Sequence, residues 1–171
     1  MLVPQLINKA ILMNKIIIVT GTPGTGKTVL AKKLANLLNF TYIDINLIIK
    51  SKKLNLNYDK KRSTYVININ KLNRILIDLI KNSNRSLIID SHLSHCLPNK
   101  LVNLCIVTKC NLKVLVKRLK KRKYNFNKIR ENMDSEIFDI CLNEAVEDKH
   151  NVMIIDTAKR IDYKKIIRKI H

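Results

Sequence analysis

Short apolar runs alternate along the chain with stretches in which apolar residues recur every three or four positions, and this predicts strands alternating with helices. Ile16-Ile17-Ile18-Val19, within residues 15–20, predicts a buried first strand, and Leu30, Leu34, Leu37 and Leu38 predict a helix reaching about residue 39. Phe40 to Ile45 predicts a second strand ending near the carboxylate of Asp44. Residues 46–65 are polar, basic (Lys50, Lys52, Lys53, Lys60, Lys61, Arg62) and weakly periodic, so a mobile insertion over a ligand is expected there. Leu72, Ile75, Leu76 and Leu79 predict a helix over 69–81, followed by strands at 86–90 and 101–108. The stripe Leu112, Leu115, Val116, Leu119 predicts a helix over 111–122, and Ile129, Met133, Ile137, Ile140 predict one long helix over 127–148. A fifth strand, 152–155, and a last helix over 159–170, burying Tyr163, Ile166, Ile167 and Ile170, complete the pattern.

Five short buried strands alternating with helices give a doubly wound α/β domain with a parallel sheet. Ligands of such sheets bind at the carboxyl ends of the strands, which places residues 21–28, Asp44, Asp90 and Asp156 along one edge. The 171 residues read as one domain with a real core. Residues 1–12 are mildly apolar without a charged start, a long apolar stretch or a cleavage site; with Met13 close behind, they read as an extension or a misplaced start. No apolar run approaches membrane-spanning length.

Charge changes the picture. Thirty-three Lys and Arg against 13 Asp and Glu leave +20, which predicts attraction to nucleic acid or another polyanion, unless it reflects a general enrichment in Lys, Asn and Ile. Aromatics are few and Trp is absent, so stacking platforms for single strands are not indicated. Cys96, Cys105, Cys110 and Cys141 form no C-x-x-C pair, and reduced, mostly buried cysteines of a cytosolic protein are expected. All three glycines fall between residues 21 and 26, so turns elsewhere are expected from Asn, Asp and Ser.

Those glycines belong to Gly21-Thr22-Pro23-Gly24-Thr25-Gly26-Lys27-Thr28, a complete G-x-x-x-x-G-K-[ST] phosphate loop between strand and helix. Backbone N–H groups of such a loop close around phosphate oxygens at a helix N-terminus. A nucleotide, ATP or GTP on the loop alone, is expected against Gly24, Thr25, Gly26, Lys27, Thr28 and Val29, with Lys27 reaching the β- and γ-phosphates and Thr28 holding Mg²⁺. Asp90 ends the strand Leu87-Ile88-Ile89 as a metal-holding carboxylate opposite Thr28 should, the alternative being a turn-capping Asp.

His92, in Asp90-Ser91-His92, could orient a water or meet the γ-phosphate, or be an ordinary loop histidine. His95 and Cys96 crowd the same loop, where a zinc set would lack a distant partner, so His95 reads as a polar loop residue. Arg118, Arg122 and Arg130 surround a basic stretch, 121–131, that could close over ATP as a cationic lid. Arg122 is the expected catalytic arginine, because phosphoryl transfer develops negative charge on the transferred oxygens.

Together these motifs resemble the adenylate kinase isoenzyme 6 family, small nucleoside monophosphate kinases also described as ribosome-assembly ATPases. The resemblance spans about 15–170. It rests on the phosphate loop, on Asp90-Ser91-His92, similar to that family's D-x-H, and on Arg118-Leu119-Lys120-Lys121-Arg122-Lys123-Tyr124-Asn125, similar to its R-L-x-x-R-G-Y-N lid. Asn132, Glu136-Ile137-Phe138 and Glu144-Ala145 continue it. The resemblance implies a P-loop NTPase fold, a five-stranded parallel sheet flanked by helices, with a monophosphate-binding insertion near 44–67 (Asp44 included) and a lid near 121–131. It implies phosphoryl exchange between ATP and AMP or related monophosphates, Mg²⁺ dependence, ATPase activity through His92, and a role in small ribosomal subunit maturation. The implied partners are the eleventh small-subunit ribosomal protein and, given the charge, rRNA. The implied location is the cytoplasm, or the nucleus in a eukaryote.

Val29 stands where that family often has a second Thr, Lys123 replaces the lid glycine, and the insertion is lysine-rich rather than acidic. An assembly ATPase with little kinase activity is the alternative reading. A shikimate-kinase-like enzyme would carry D-x-D where this chain has Asp44-Ile45-Asn46, and a GTPase would carry N-K-x-D, which is absent.

Overall fold

The computed structural model describes residues 14–59 and 64–170. Residues 1–12 and Lys60, Lys61 and Arg62 lie outside them, with the expectations attached to them.

The first strand, β1 (Ile16–Thr20), is buried along its whole length and leads through the glycine loop into α1 (Lys27–Leu38). Then follow β2 (Thr41–Asp44), α2 (Ile45–Ser51), β3 (Asn55–Asp59), β4 (Thr64–Ile67), α3 (Ile69–Lys81) and β5 (Leu87–Asp90). Two single 3₁₀ turns precede β6 (Leu104–Lys109), α4 (Leu112–Lys121), α5 (Phe126–Ile137), α6 (Ile140–Glu147), β7 (Val152–Asp156) and α7 (Tyr163–Ile170). Five strands form a parallel sheet in the order β2-β5-β1-β6-β7. The chain therefore leaves β1 toward one side and later returns to the other, making a switch point at the carboxyl end of β1.

Period-two alternation buries both faces. Ile16 and Ile18 of β1, Leu87 and Ile89 of β5, and Cys105 and Val107 of β6 join a core with Ile45, Leu72, Leu76 and Ala145. Ile17, Val19, Ile88, Leu104 and Ile106 face the other way, against Leu30, Ala31 and Leu34 of α1 and Ile166 and Ile170 of α7. Near-continuous apolar strands are what a sheet covered on both faces requires.

Three expectations are corrected. Part of 46–65 is ordered as α2 and an antiparallel hairpin, β3 with β4, whose Tyr58 and Tyr65 rings meet edge-on at 4.9 Å. A two-stranded ribbon buries little, so it leaves no strong apolar period to read. The helix expected over 127–148 is two helices, broken where Asp139 takes the left-handed conformation (φ 55°) and pairs with Lys109. The last helix begins at Tyr163, because Asp162 accepts the Lys165 N–H at 3.1 Å and caps it there. The first helix forms where Leu30, Leu34, Leu37 and Leu38 predict it, with Leu37 itself 47% exposed.

With all glycine spent on the phosphate loop, helix ends are made by other residues. Asn39, Lys53, Lys123, Asp139 and Lys149 all take positive φ, between 48° and 59°. Asn and Asp were expected in such places; three of the five are lysines, for which the conformation costs about 1–2 kcal/mol.

Candidate active site

The loop after β1 is shaped by its glycines. Gly21 has φ 134°, and a Cβ there would stand 2.4 Å from the Thr108 carbonyl oxygen, so only glycine lets β1 and β6 come this close. Gly24 has φ 97° and sits against Leu115 and Leu119 of α4. Thr25 is buried behind the loop, its hydroxyl donating to Thr22 O at 2.7 Å and meeting the Thr108 hydroxyl at 2.7 Å. It shapes the loop from within and does not line the cleft in front.

That cleft, of about 370 Å³, brings together Gly24, Gly26, Lys27, Thr28 and Val29 with Asp90, His92 and Arg122. Lys27 Nζ donates to Gly21 O at 2.7 Å and Thr22 O at 3.0 Å. Burial lowers its pKa to about 8, opposed chiefly by the charge of Asp90.

Asp90 is 2% exposed at the end of β5. Tyr42 donates its phenol proton to Asp90 Oδ2 at 3.0 Å, while the buried Oδ1 has no hydrogen-bond partner among the described residues. Burial, and then Asp90, push the Tyr42 phenol above its ordinary pKa, and the Thr28 hydroxyl beside it pulls the other way. A buried carboxylate oxygen left without a partner is costly unless a cation takes it. With Thr28 on the same cleft, the donor set is all oxygen, which suits a hard ion such as Mg²⁺.

His92 opens onto the cleft and is exposed by area, yet protein atoms crowd its inner side. That crowding, then Lys27 and His95, lowers its pKa to about 4, so the ring is neutral at pH 7. His95 is buried and faces away from the cleft, between Thr20 and Glu144.

The segment Arg122-Lys123-Tyr124-Asn125 is the turn from α4 to α5. Arg122 ends α4, Lys123 turns the chain at φ 58°, and Asn125 caps α5 by accepting the Lys128 N–H at 2.9 Å. Arg122, Tyr124 and Lys128 all line the cleft. Arg118 braces the loop instead, donating to Gly24 O at 3.4 Å and to Thr157 at 3.1 Å. Arg130 is exposed and is not among the cleft-lining residues. Buried Glu136, on α5, accepts the Cys110 N–H at 2.9 Å and so ties α5 to the start of α4.

Asp44 ends its strand level with Asp90 in register. Its carboxylate caps α2 by accepting the Asn46 N–H at 2.8 Å, and Asn46 rather than Asp44 lines the cleft. Sequence reasoning gave no site role to Tyr42, Asn46 or Lys128, and held Tyr124 only as part of the lid motif. The first is brought to Asp90 only by strand register, and Lys128 is one lysine among many.

Burial pushes up the thiol pKa of Cys96, Cys105, Cys110 and Cys141, all of them free. Among the described residues no cluster of three or more His, Cys, Asp or Glu could hold a metal, and no helix is long and apolar enough to cross a membrane.

Comparison with known proteins agrees with this architecture. Residues 17–139 match the AAA domain family. The chain is 39% identical over 154 residues to a Methanocaldococcus jannaschii protein named "Putative adenylate kinase", covering 90% of this chain and 82% of that one. It is 37% identical over 130 residues to the adenylate kinase isoenzyme 6 homolog of Dictyostelium discoideum, covering 75% and 73%. Among solved structures, shikimate kinase from Acinetobacter baumannii in complex with shikimate superposes with a TM-score of 0.61 at 15% identity, covering 95% and 93%. At that identity the likeness shows the P-loop kinase fold alone. The chain belongs to the adenylate kinase isoenzyme 6 family.

Proposed function

We propose that this family member is a nucleoside monophosphate kinase that moves the terminal phosphoryl group between ATP and AMP or a related monophosphate. ATP hydrolysis at the same site and a part in small ribosomal subunit maturation complete the reading. The observation that carries it is the cleft, where the phosphate loop meets Lys27, Arg122, Lys128 and a carboxylate with one unpartnered oxygen. Such a site does little covalent chemistry; it positions phosphates and supplies charge.

ATP would lie with its phosphates against Gly24, Gly26 and Lys27, with Thr25 holding the loop's shape and Val29 at its rim. Mg²⁺, held by Thr28 and Asp90, would neutralise phosphate charge. A monophosphate would approach from the side of Asn46, on the helix capped by Asp44. An acceptor phosphate oxygen forms a bond to the γ-phosphorus as the bond to the β–γ bridging oxygen breaks, and that electron pair leaves with ADP. Arg122 would meet the charge that grows on the transferred oxygens. When water attacks instead, the neutral ring of His92 can accept its hydrogen bond and proton.

The +20 charge supports the assembly role through attraction to rRNA, and the family resemblance adds the eleventh small-subunit ribosomal protein as partner. An assembly ATPase with little kinase activity is the second reading, favoured by that charge.

ATP turnover with and without AMP, in wild type and His92→Ala, tests these roles. The expected result is a larger loss of hydrolysis than of transfer. If no monophosphate stimulates ADP formation, the kinase reading fails. Affinity for rRNA should drop steeply between low and high salt; a flat response would argue against an electrostatic contact.

A further inference from the structure

Behind the cleft, the turn from Asp90 to Cys96 is fastened to the last two residues of β1. Val19 O accepts the Ser91 N–H at 3.2 Å and the Ser94 hydroxyl at 3.0 Å. The Thr20 hydroxyl lies 2.8 Å from His95 Nδ1 and 3.4 Å from the His92 carbonyl oxygen. On its far side the His95 ring meets α6, with Nε2 2.9 Å from Glu144 Oε2. The His95 carbonyl oxygen accepts His150 Nε2–H at 2.8 Å. Thr20 directly precedes Gly21, so one buried imidazole, itself on the turn that carries His92, touches the residue that launches the phosphate loop on one side and a helix on the other.

We propose that His95, wedged between the Thr20 hydroxyl and the Glu144 carboxylate, is a positioning residue that sets the place of His92 in the cleft. The inference rests on the role given above to His92 in water attack. A carboxylate only accepts, so Nε2 carries the ring proton and Nδ1 of the neutral ring accepts the single Thr20 hydroxyl proton at 2.8 Å, in preference to the His92 carbonyl oxygen at 3.4 Å. Burial favours that neutral ring, against the pull of Glu144 and Asp148. Glu144 thereby fixes the tautomer, as an outer partner fixes a working histidine. The bond that matters for His92 is the inner one, from Thr20 to Nδ1, because it fastens the turn on which His92 sits to the end of β1. Transfer to a bound monophosphate needs no oriented water, so it depends on this bond less.

Two amide substitutions separate the two contacts. His95→Asn puts an acceptor oxygen near the place of Nδ1, and His95→Gln puts a donor near the place of Nε2. Hydrolysis without AMP and transfer to AMP are measured for both, together with Thr20→Val, which keeps the shape of Thr and removes the hydroxyl. The ratio of hydrolysis to transfer should fall about tenfold in His95→Gln and Thr20→Val, with the KM for ATP within about twofold. His95→Asn should recover at least roughly half of the wild-type ratio. Should His95→Gln not fold, Thr20→Val against His95→Asn carries the same comparison.

An unchanged ratio in Thr20→Val, or an equal fall of hydrolysis and transfer in every variant, overturns the proposal and leaves His95 a packing residue. His92→Ala serves as control. If it hydrolyses ATP normally, the role of His92 fails and this inference with it. If it loses hydrolysis while Thr20→Val and His95→Gln keep it, the inference alone fails.

Discussion

Tyr42 holds Asp90 by one oxygen: its phenol donates to Oδ2 at 3.0 Å, and the buried Oδ1 has no hydrogen-bond partner among the described residues. The phenol thus fixes the carboxylate's orientation without using the oxygen suited to a cation. Tyr42→Phe should keep the fold and raise the Mg²⁺ concentration needed for half-maximal ATP turnover about tenfold, as loss of an outer partner does at metal sites. A Mg²⁺ titration of both proteins decides it, and an unchanged midpoint would show that Tyr42 has no part in orienting Asp90.

The lowered pKa of Lys27, about 8 against an ordinary 10.5, has two signed consequences. Between those values the unfolded chain binds more protons than the folded one, so the cost of this buried charge, full below about pH 8, fades as pH rises toward 10.5. Nucleotide phosphates select the ammonium form, so ATP binding at about pH 8.5–9 should take up a proton that binding at pH 7 does not. Calorimetry in buffers of different ionisation heat measures that uptake. Lys27→Met should abolish the uptake and weaken ATP binding about a hundredfold.

Arg122 stands at the end of α4, on the cleft wall. Arg122→Ala should lower kcat for phosphoryl transfer about 10²–10³-fold with a smaller change in KM, the pattern of a group that acts on transition-state charge. Arg122→Lys should recover part of this only, since a point charge lacks the planar fork. A rise in KM with kcat intact would instead make Arg122 a ground-state binding residue.

Lys123 occupies a backbone position that favours glycine, at φ 58°. Lys123→Gly should stabilise the protein by about 0.5–1 kcal/mol, the relief of left-handed strain exceeding the added freedom of the unfolded chain. Thermal unfolding should shift up by about 2–4 °C per kcal/mol for a chain of this size. Lower stability would mean that the Lys123 side chain contributes a contact worth more than the strain.

Much of this was legible in the chain. The phosphate loop is a local motif between a local strand and a local helix, and it folds where it was read. Asp90 follows from a strand's end, and Arg122-Lys123-Tyr124-Asn125 from a short turn whose cap, Asn125, lies within the motif. The hairpin escaped because a ribbon exposed on both faces carries no apolar period. The break at Asp139 escaped because its partner, Lys109, lies thirty residues earlier.

By itself, then, the sequence determined the five strands of the parallel sheet in chain order, the phosphate loop and the candidate residues on it, since each depends on neighbours a few positions apart. Tertiary structure alone decided that Tyr42 meets Asp90, that Asn46 rather than Asp44 faces the cleft, that Lys128 joins Arg122, and that His95 locks onto Thr20. Those pairings depend on strand register and on helices crossing the sheet. Any of the 33 Lys and Arg could have met the cleft; packing selected the few that do.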